Sequence, residues 1–238
     1  MLILSLGVPR SGTIFVFNVL REALTRRRIE FSSVNANYPE TTAYLSRYDF
    51  SGNVLMHAHN VLPEVQRVLP RENVRAFFNF RDPRDVLVSM MRLHDYSFEK
   101  CLELVDISFA QFTTARKFPG VMFIPYTHVM ASPDAVIFQV AQKAGVFLSL
   151  DEVVQIRKAT SIESHTKIMK AVGAGKVDVQ IRRNPKRTMK ESSVHFINDR
   201  HIQSGRSGRW RRELSAEQQE AVTRHYKPLL VELGFERE

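Results

Sequence analysis

Apolar positions along the chain follow two rhythms. Short, near-continuous apolar runs occur at Leu2–Leu6, Val54–His57, Val74–Phe80 and Val121–Ile124, with a weaker one at Phe31–Val34. Their length and the turn residues around them predict buried strands. Between and after them, apolar residues recur at helical spacing over Thr13–Arg27, Val61–Leu69, Pro83–Leu93, Phe98–Lys117 and Pro133–Gly145. Pro83 and Pro133 suit the first turn of a helix, where a missing N–H costs nothing. Strand–helix alternation of this kind predicts an α/β fold, with a parallel sheet of about five strands flanked by helices. In such sheets ligands sit at the carboxyl ends of the strands.

After Gly145 the pattern is helical, at Asp151–Ala159 and Ser161–Val172. Residues 173–200 are polar, basic and weakly periodic, which predicts a long loop or flexible basic flap. Ser215 and Gln218 have capping-box spacing, opening a helix that runs to about Leu233 and stops at Gly234. The whole, residues 1–238, reads as one domain.

Composition narrows the setting. The chain has 238 residues, 44% hydrophobic and 25% charged, enough for one sizeable core. No stretch reaches the roughly 18 apolar residues of a membrane span, and the start lacks the charged region and cleavage site of a signal peptide. The single cysteine, Cys101, allows no internal disulfide and fits a reducing compartment. A cytoplasmic protein is the expectation. The formal net charge of +9, much of it between Lys176 and Arg212, points to a polyanionic partner. Nucleic acid, an anionic surface or a phosphorylated small molecule would each serve.

Two strand–loop–helix junctions carry the candidate chemistry. The first is Gly7-Val-Pro-Arg-Ser-Gly-Thr-Ile-Phe15. It aims backbone N–H groups and the positive end of a helix at one spot, with Arg10 beside them, as an anion cradle does. Gly12 lets the backbone approach an oxyanion. A nucleotide-triphosphatase loop would carry Lys followed by Ser or Thr here. That pair, and with it the usual Mg²⁺ ligand, is missing. The second junction is Arg81-Asp-Pro-Arg-Asp-Val-Leu-Val-Ser89. An Arg at the strand end and a hydroxyl two turns into the helix can grip a second phosphate; alternatively Arg81 simply pairs with Asp82 or Asp85.

These motifs resemble those of the sulfotransferases. The first junction resembles their 5′-phosphosulfate loop, Tyr-Pro-Lys-Ser-Gly-Thr-Thr-Trp. The second resembles their 3′-phosphate motif, Arg-Asn-Pro-Lys-Asp-Val-x-Val-Ser, with the same Arg-to-Ser spacing. Ser204-Gly-Arg-Ser-Gly-Arg-Trp210 resembles the third motif, Arg-Lys-Gly-x-x-Gly-Asp-Trp. The resemblance covers nearly the whole chain. It implies the P-loop NTPase-like sulfotransferase fold and transfer of a sulfuryl group from 3′-phosphoadenosine 5′-phosphosulfate, leaving 3′,5′-ADP, with no metal required.

The resemblance also implies roles. Arg10 takes the place of the lysine that stabilises the departing phosphate, a change that keeps the charge but alters its geometry. Ser11, Gly12, Thr13 and Ile14 would bind the 5′-phosphate, and Phe15 would lie beside adenine. Arg81 and Ser89 would hold the 3′-phosphate, with Ser204, Gly205 and Arg206 closing over it. Tyr126 and Thr160 match weaker adenine contacts. Gln203-Ser204 replace Arg-Lys, and Arg206 and Arg209 are placed to compensate. Transfer to an alcohol needs a base. Met56-His57-Ala58-His59 resembles the family's Lys-Thr-His, which puts His59 on the base and His57 on the lysine. His57 is the alternative base, and Glu40 the one suggested by carbohydrate-modifying members. The expected acceptor is a hydroxyl, or an amine, of a small molecule or carbohydrate, with no nucleic acid involved. Two other functions stay open on the residues alone: a P-loop small-molecule kinase and a non-catalytic nucleic-acid-binding module.

Overall fold

The computed structural model describes residues 1–36, 40–177, 179–184, 187–198 and 205–237; over 181–184 and 187–189 only the backbone is described. The chain alternates β1 (Leu2–Gly7), α1 (Thr13–Arg26), β2 (Ser32–Asn35), α2 (Glu40–Leu45), β3 (Val54–His57), α3 (Pro63–Val68), β4 (Val74–Phe80), α4 (Pro83–His94), α5 (Phe98–Ala115) and β5 (Val121–Pro125). It continues with α6 (Tyr126–Ala131), α7 (Pro133–Lys143), α8 (Leu150–Ala159), α9 (Ile162–Gly173), β6 (Val179–Asn184), β7 (Arg187–Ser192), α10 (Trp210–Glu213) and α11 (Ala216–Glu232).

The strands of the main sheet are parallel, in the order β2-β3-β1-β4-β5. Successive side chains of a strand face opposite sides, and the two cores follow that alternation. Leu2, Leu4 and Leu6 join Phe78 and Phe80 against Val86, Phe112 and Leu230 of α4, α5 and α11. Ile3, Leu55, Phe77 and Ile124 face the other way, onto Phe17 and Leu20 of α1, Ile137 and Val140 of α7 and Ile156 of α8. Every residue of β1 is buried, because both faces are covered. Each large apolar side chain buried this way contributes about 1.5–3 kcal/mol.

Caps fix where the helices begin. The Asp82 carboxylate accepts from the Arg84 N–H one residue into α4, with Pro83 at the first position. Ser149 with Glu152, and Ser215 with Gln218, form reciprocal capping boxes. All five expected strands form. The helix expected over Val61–Leu69 begins only at Pro63, with Leu62 extended before it. Two six-residue helices, α2 and α6, have no counterpart in the sequence reading. The segment expected to be a loop over 173–200 instead contains an antiparallel hairpin, β6–β7. No helix among the described residues is long and apolar enough to cross a membrane.

The topology positions the site. From β1 the chain moves outward to β2, returns to β3, and then crosses to β4 on the opposite side of β1. The carboxyl ends of β3, β1 and β4 therefore lie side by side, and the crossovers leave in opposite directions, which opens a crevice there.

Candidate active site

The loop after β1 is built on a close approach. Gly7 pairs with Asn79, and a Cβ on Gly7 would lie 2.5 Å from the Asn79 carbonyl oxygen and 2.6 Å from Thr13 Cγ2. Only glycine fits. Gly12 adopts φ 88° at the start of α1, and a Cβ there would meet the Tyr126 ring at 3.2 Å. The Ser11 hydroxyl is fully buried and lies within hydrogen-bond distance of the carbonyls of Val8 (2.5 Å) and Asn79 (3.0 Å). It fastens the loop to β4 from beneath. The N–H groups of Gly12, Thr13 and Ile14 have no acceptor among the described residues, as the first turn of a helix leaves them.

Arg10 sits at the crest of this loop with φ 67°, a left-handed conformation unfavourable for a side-chain-bearing residue. Its Nε donates to Ser89 Oγ at 3.0 Å, which joins the two motifs directly. Burial, and next the neighbouring Arg81 guanidinium, pull Arg10 down to about 10. Arg81 is buried, donates to the carbonyls of Arg206 (2.7 Å) and Arg10 (3.4 Å), and lies 4.4 Å over the Tyr126 ring. Of the two pairings open to Arg81 in sequence, Asp85 is realised, at 3.5 Å, and the pair is buried rather than exposed. Arg81 Nε has no acceptor among the described residues.

Asp85 has a second task for which the motif alone gave no signal. Its buried carboxylate accepts from the backbone N–H groups of Gly208 (2.8 Å) and Arg209 (2.9 Å). The Tyr126 hydroxyl donates to the Gly205 carbonyl at 3.0 Å. The Gly205–Trp210 segment is thus held over the crevice. Arg84, almost completely buried, grips Asp82 and Glu236 and lies 4.1 Å over Trp210, so Trp210 anchors the segment.

Below this segment lies a cavity of about 460 Å³, within the usual range for small-molecule sites. It brings together Arg10, Gly12, Ile14, Phe15, Arg81, Ser89, Tyr126, Thr160, Gly205 and Arg206. Ser11 and Thr13 lie under the loop rather than on the cavity wall, and Ser204 lies outside the described residues. Arg10, Arg81, Arg206 and Arg209 make one end cationic, while Ile14, Phe15, Val129, Met130, Ile162 and Ile197 make much of the rest apolar. The Thr160 hydroxyl donates back to the Ile156 carbonyl at 2.8 Å, so Thr160 shapes the wall instead of presenting a donor. His165 also lines this wall. Burial, then His195 and Arg21, push it down to about 4, so it is neutral at pH 7. Nothing in its local sequence marks it.

The two histidines lie off this cavity, on the β3 side of the loop. His59 Nδ1 stands 2.8 Å from the Gly7 carbonyl oxygen. A carbonyl only accepts, so Nδ1 carries the proton and Nε2 is the basic nitrogen. His57 is buried, stands edge-on to His59 with ring centroids 4.9 Å apart, and is 3.0 Å from Asn35 Oδ1 through Nδ1. Glu40 begins α2, is exposed, and does not line the cavity; Tyr38 and Pro39 before it are outside the described residues. Among the described residues, no cluster of three or more His, Cys, Asp or Glu side chains could hold a metal ion.

The geometry is that of an electropositive crevice with an apolar extension and a histidine pair beside its loop. No curated protein sequence matches the chain. Among solved structures, mouse sulfotransferase SULT7A1 complexed with PAP matches with a TM-score of 0.65 at 15% identity, over 97% of this chain and 83% of that one. Retinol dehydratase, in complex with androsterone and the inactive cofactor PAP, matches with a TM-score of 0.64 at 14% identity, over 96% and 80%. The same enzyme with retinol and PAP matches with a TM-score of 0.64 at 15% identity, over 96% and 81%. At such identities the likeness is one of fold. The family model of the sulfotransferase domain matches residues 2–234; the chain belongs to the sulfotransferase family.

Proposed function

We propose that this single-domain protein transfers a sulfuryl group from 3′-phosphoadenosine 5′-phosphosulfate to a hydroxyl, or an amine, of a small-molecule or carbohydrate acceptor. One observation carries the reading. Donors without acceptors among the described residues lie at the crevice: the N–H groups of Gly12 and Ile14, and Arg81 Nε, beside the Arg10 guanidinium. A group with anionic oxygens at two points satisfies them all. The related structures hold PAP, and one of them is an enzyme bound to androsterone or retinol, which supports a small-molecule acceptor here.

The donor, when bound, supplies a sulfuryl group activated by its anhydride to a phosphate. Gly12, Thr13 and Ile14 would hold the 5′-phosphate by backbone N–H, and Arg81 and Ser89 the 3′-phosphate. Phe15, Ile162 and the neutral His165 would frame the base. Arg10 provides fixed positive charge where negative charge grows on the departing phosphate oxygen. His59 Nε2 takes the acceptor's proton as the new S–O bond forms. The kinase alternative would need the Lys and Ser/Thr that Thr13-Ile14 do not provide. Transfer is proposed to need no metal, and a full rate in excess chelator is the expected result. The decisive measurement is calorimetry with 3′,5′-ADP, followed by transfer of labelled sulfuryl to an acceptor panel. Folded protein that binds no 3′,5′-ADP would sink the reading.

A further inference from the structure

His57 and Asn35 face each other in register on β3 and β2. The contact between them, Nδ1 to Oδ1 at 3.0 Å, is half of a longer chain. The other half of the Asn35 amide, Nδ2, donates to Glu191 Oε2 at 3.0 Å. Glu191 lies on β7, 156 residues away, and is only 5% exposed. The same carboxylate oxygen accepts from Gln180 Nε2 of β6 at 2.8 Å. The hairpin thus drives a buried carboxylate into the polar end of the main sheet.

Each link dictates the next. A carboxylate only accepts, so the Asn35 amide must turn its NH₂ towards Glu191 and its oxygen towards His57. That oxygen only accepts, so His57 must carry its proton on Nδ1. Its lone pair is then on Nε2, and its ring plane is fixed. The ring stands edge-on to His59 at 4.9 Å and to Phe17 at 6.1 Å. Burying a carboxylate carries a large desolvation cost. It is an effective way to specify one orientation of an amide and one tautomer of a histidine.

We propose that Asn35 and Glu191 are positioning residues. Glu191 orients Asn35, Asn35 sets the tautomer and ring plane of His57, and His57 steadies His59, so the hairpin β6–β7 is coupled to the proton-accepting group. The kinetic side rests on the proposed transfer with His59 as base; the tautomer side stands without it.

The test uses the full chain. Nitrogen-15 spectra of the imidazoles read the tautomers of His57 and His59 without any ligand. The expected result is Nδ1–H on His57 in the wild type and a mixture of tautomers in Glu191→Ala and Asn35→Ala. Either substitution lowers kcat roughly tenfold, as expected for a lost hydrogen bond to a charged group, with 3′,5′-ADP affinity unchanged. The double variant is no slower than Asn35→Ala, because the two act in series. Glu191→Gln, which keeps an acceptor oxygen, restores the Nδ1–H signal. A wild-type His57 protonated on Nε2 overturns the proposal. So does an unchanged tautomer and kcat in Glu191→Ala, or effects of the two substitutions that multiply. If Glu191→Ala fails to fold, the wild-type tautomer and the Asn35→Ala and Glu191→Gln spectra decide. If the wild type binds no donor, the functional reading fails and the spectra alone judge the positioning.

Discussion

Replacing Arg10 by glycine is predicted to make the protein more stable and inactive. The backbone at Arg10 has φ 67°, a conformation that costs a side-chain-bearing residue about 1–2 kcal/mol and glycine almost nothing. The charge adds a second penalty. A guanidinium pulled down to about 10 by burial and by Arg81 would lose about 3 kcal/mol if fully desolvated; Arg10 is half-buried, and screening leaves about half of that. Against these stand the bond from Nε to Ser89, about 1 kcal/mol, and the greater unfolded-state freedom of glycine, about 0.5–1 kcal/mol. The net gain is about 1 kcal/mol, or about 2–4 °C in Tm for a chain of this length. The sign with pH follows from the depressed value. The penalty is present while Arg10 is charged in both folded and unfolded states and fades as pH rises through about 10. The gain should therefore be flat across neutral pH. Saturating 3′,5′-ADP should raise the wild-type Tm more than the variant's, because the anion neutralises the charge that costs the empty site. Thermal melts followed by circular dichroism, with and without nucleotide, measure all of this. Transfer should fall about 100-fold or more. A natively folded Arg10→Gly protein that melts several degrees below wild type would refute the reasoning, as would full transfer activity.

Two further outcomes follow from the site. His59→Ala should abolish transfer while leaving 3′,5′-ADP affinity within about twofold, since the histidine does not line the cavity under the Gly205–Trp210 segment; an unimpaired rate would remove it as the base. Arg81→Met should weaken 3′,5′-ADP by about 10–100-fold, the worth of a charge-assisted bond of about 1.5–3 kcal/mol. The protein should still fold, because Asp85 keeps its bonds from Gly208 and Arg209; unchanged affinity by calorimetry would take Arg81 out of the phosphate site.

The parts legible in the sequence are those with local causes. Leu2–Leu6 and Val74–Phe80 read as strands because burial on both faces makes them apolar apart from Ser5, Arg75 and Asn79. Ser215 and Gln218 read as a cap because the bonds close within four residues. The pairing of Arg10 with Ser89 was legible only as two motifs at the carboxyl edge of one sheet. The hairpin β6–β7 was not legible. Its strands, VQIRRN and RTMKES, are mostly polar and basic, so no sustained apolar alternation marks them. Nor could the Glu191–Asn35 contact be read, since nothing near either residue marks a partner 156 positions away. Ser11 shows a third kind of limit. A hydroxyl in an anion loop suggests a ligand donor, but Ser11 turns to the buried side of the loop, where the Val8 and Asn79 carbonyls accept from it as well as from backbone N–H groups.

The altered third motif has a physical resolution. Gln203 and Ser204 stand where the family carries Arg-Lys, two charges fewer at the phosphate end. Among the described residues, the Gly205–Trp210 segment is gripped by three other side chains. Asp85 holds it through the N–H groups of Gly208 and Arg209, Arg81 through the Arg206 carbonyl, and Tyr126 through the Gly205 carbonyl. Each grips backbone, which survives substitution of the side chains around it. Gly205, at φ 67°, lets that backbone pass within contact of Ile162, where a Cβ would lie 3.0 Å from Cδ1. Closure is therefore built into the β4–α4 junction and Tyr126, and the segment is left to supply charge through Arg206 and Arg209 alone.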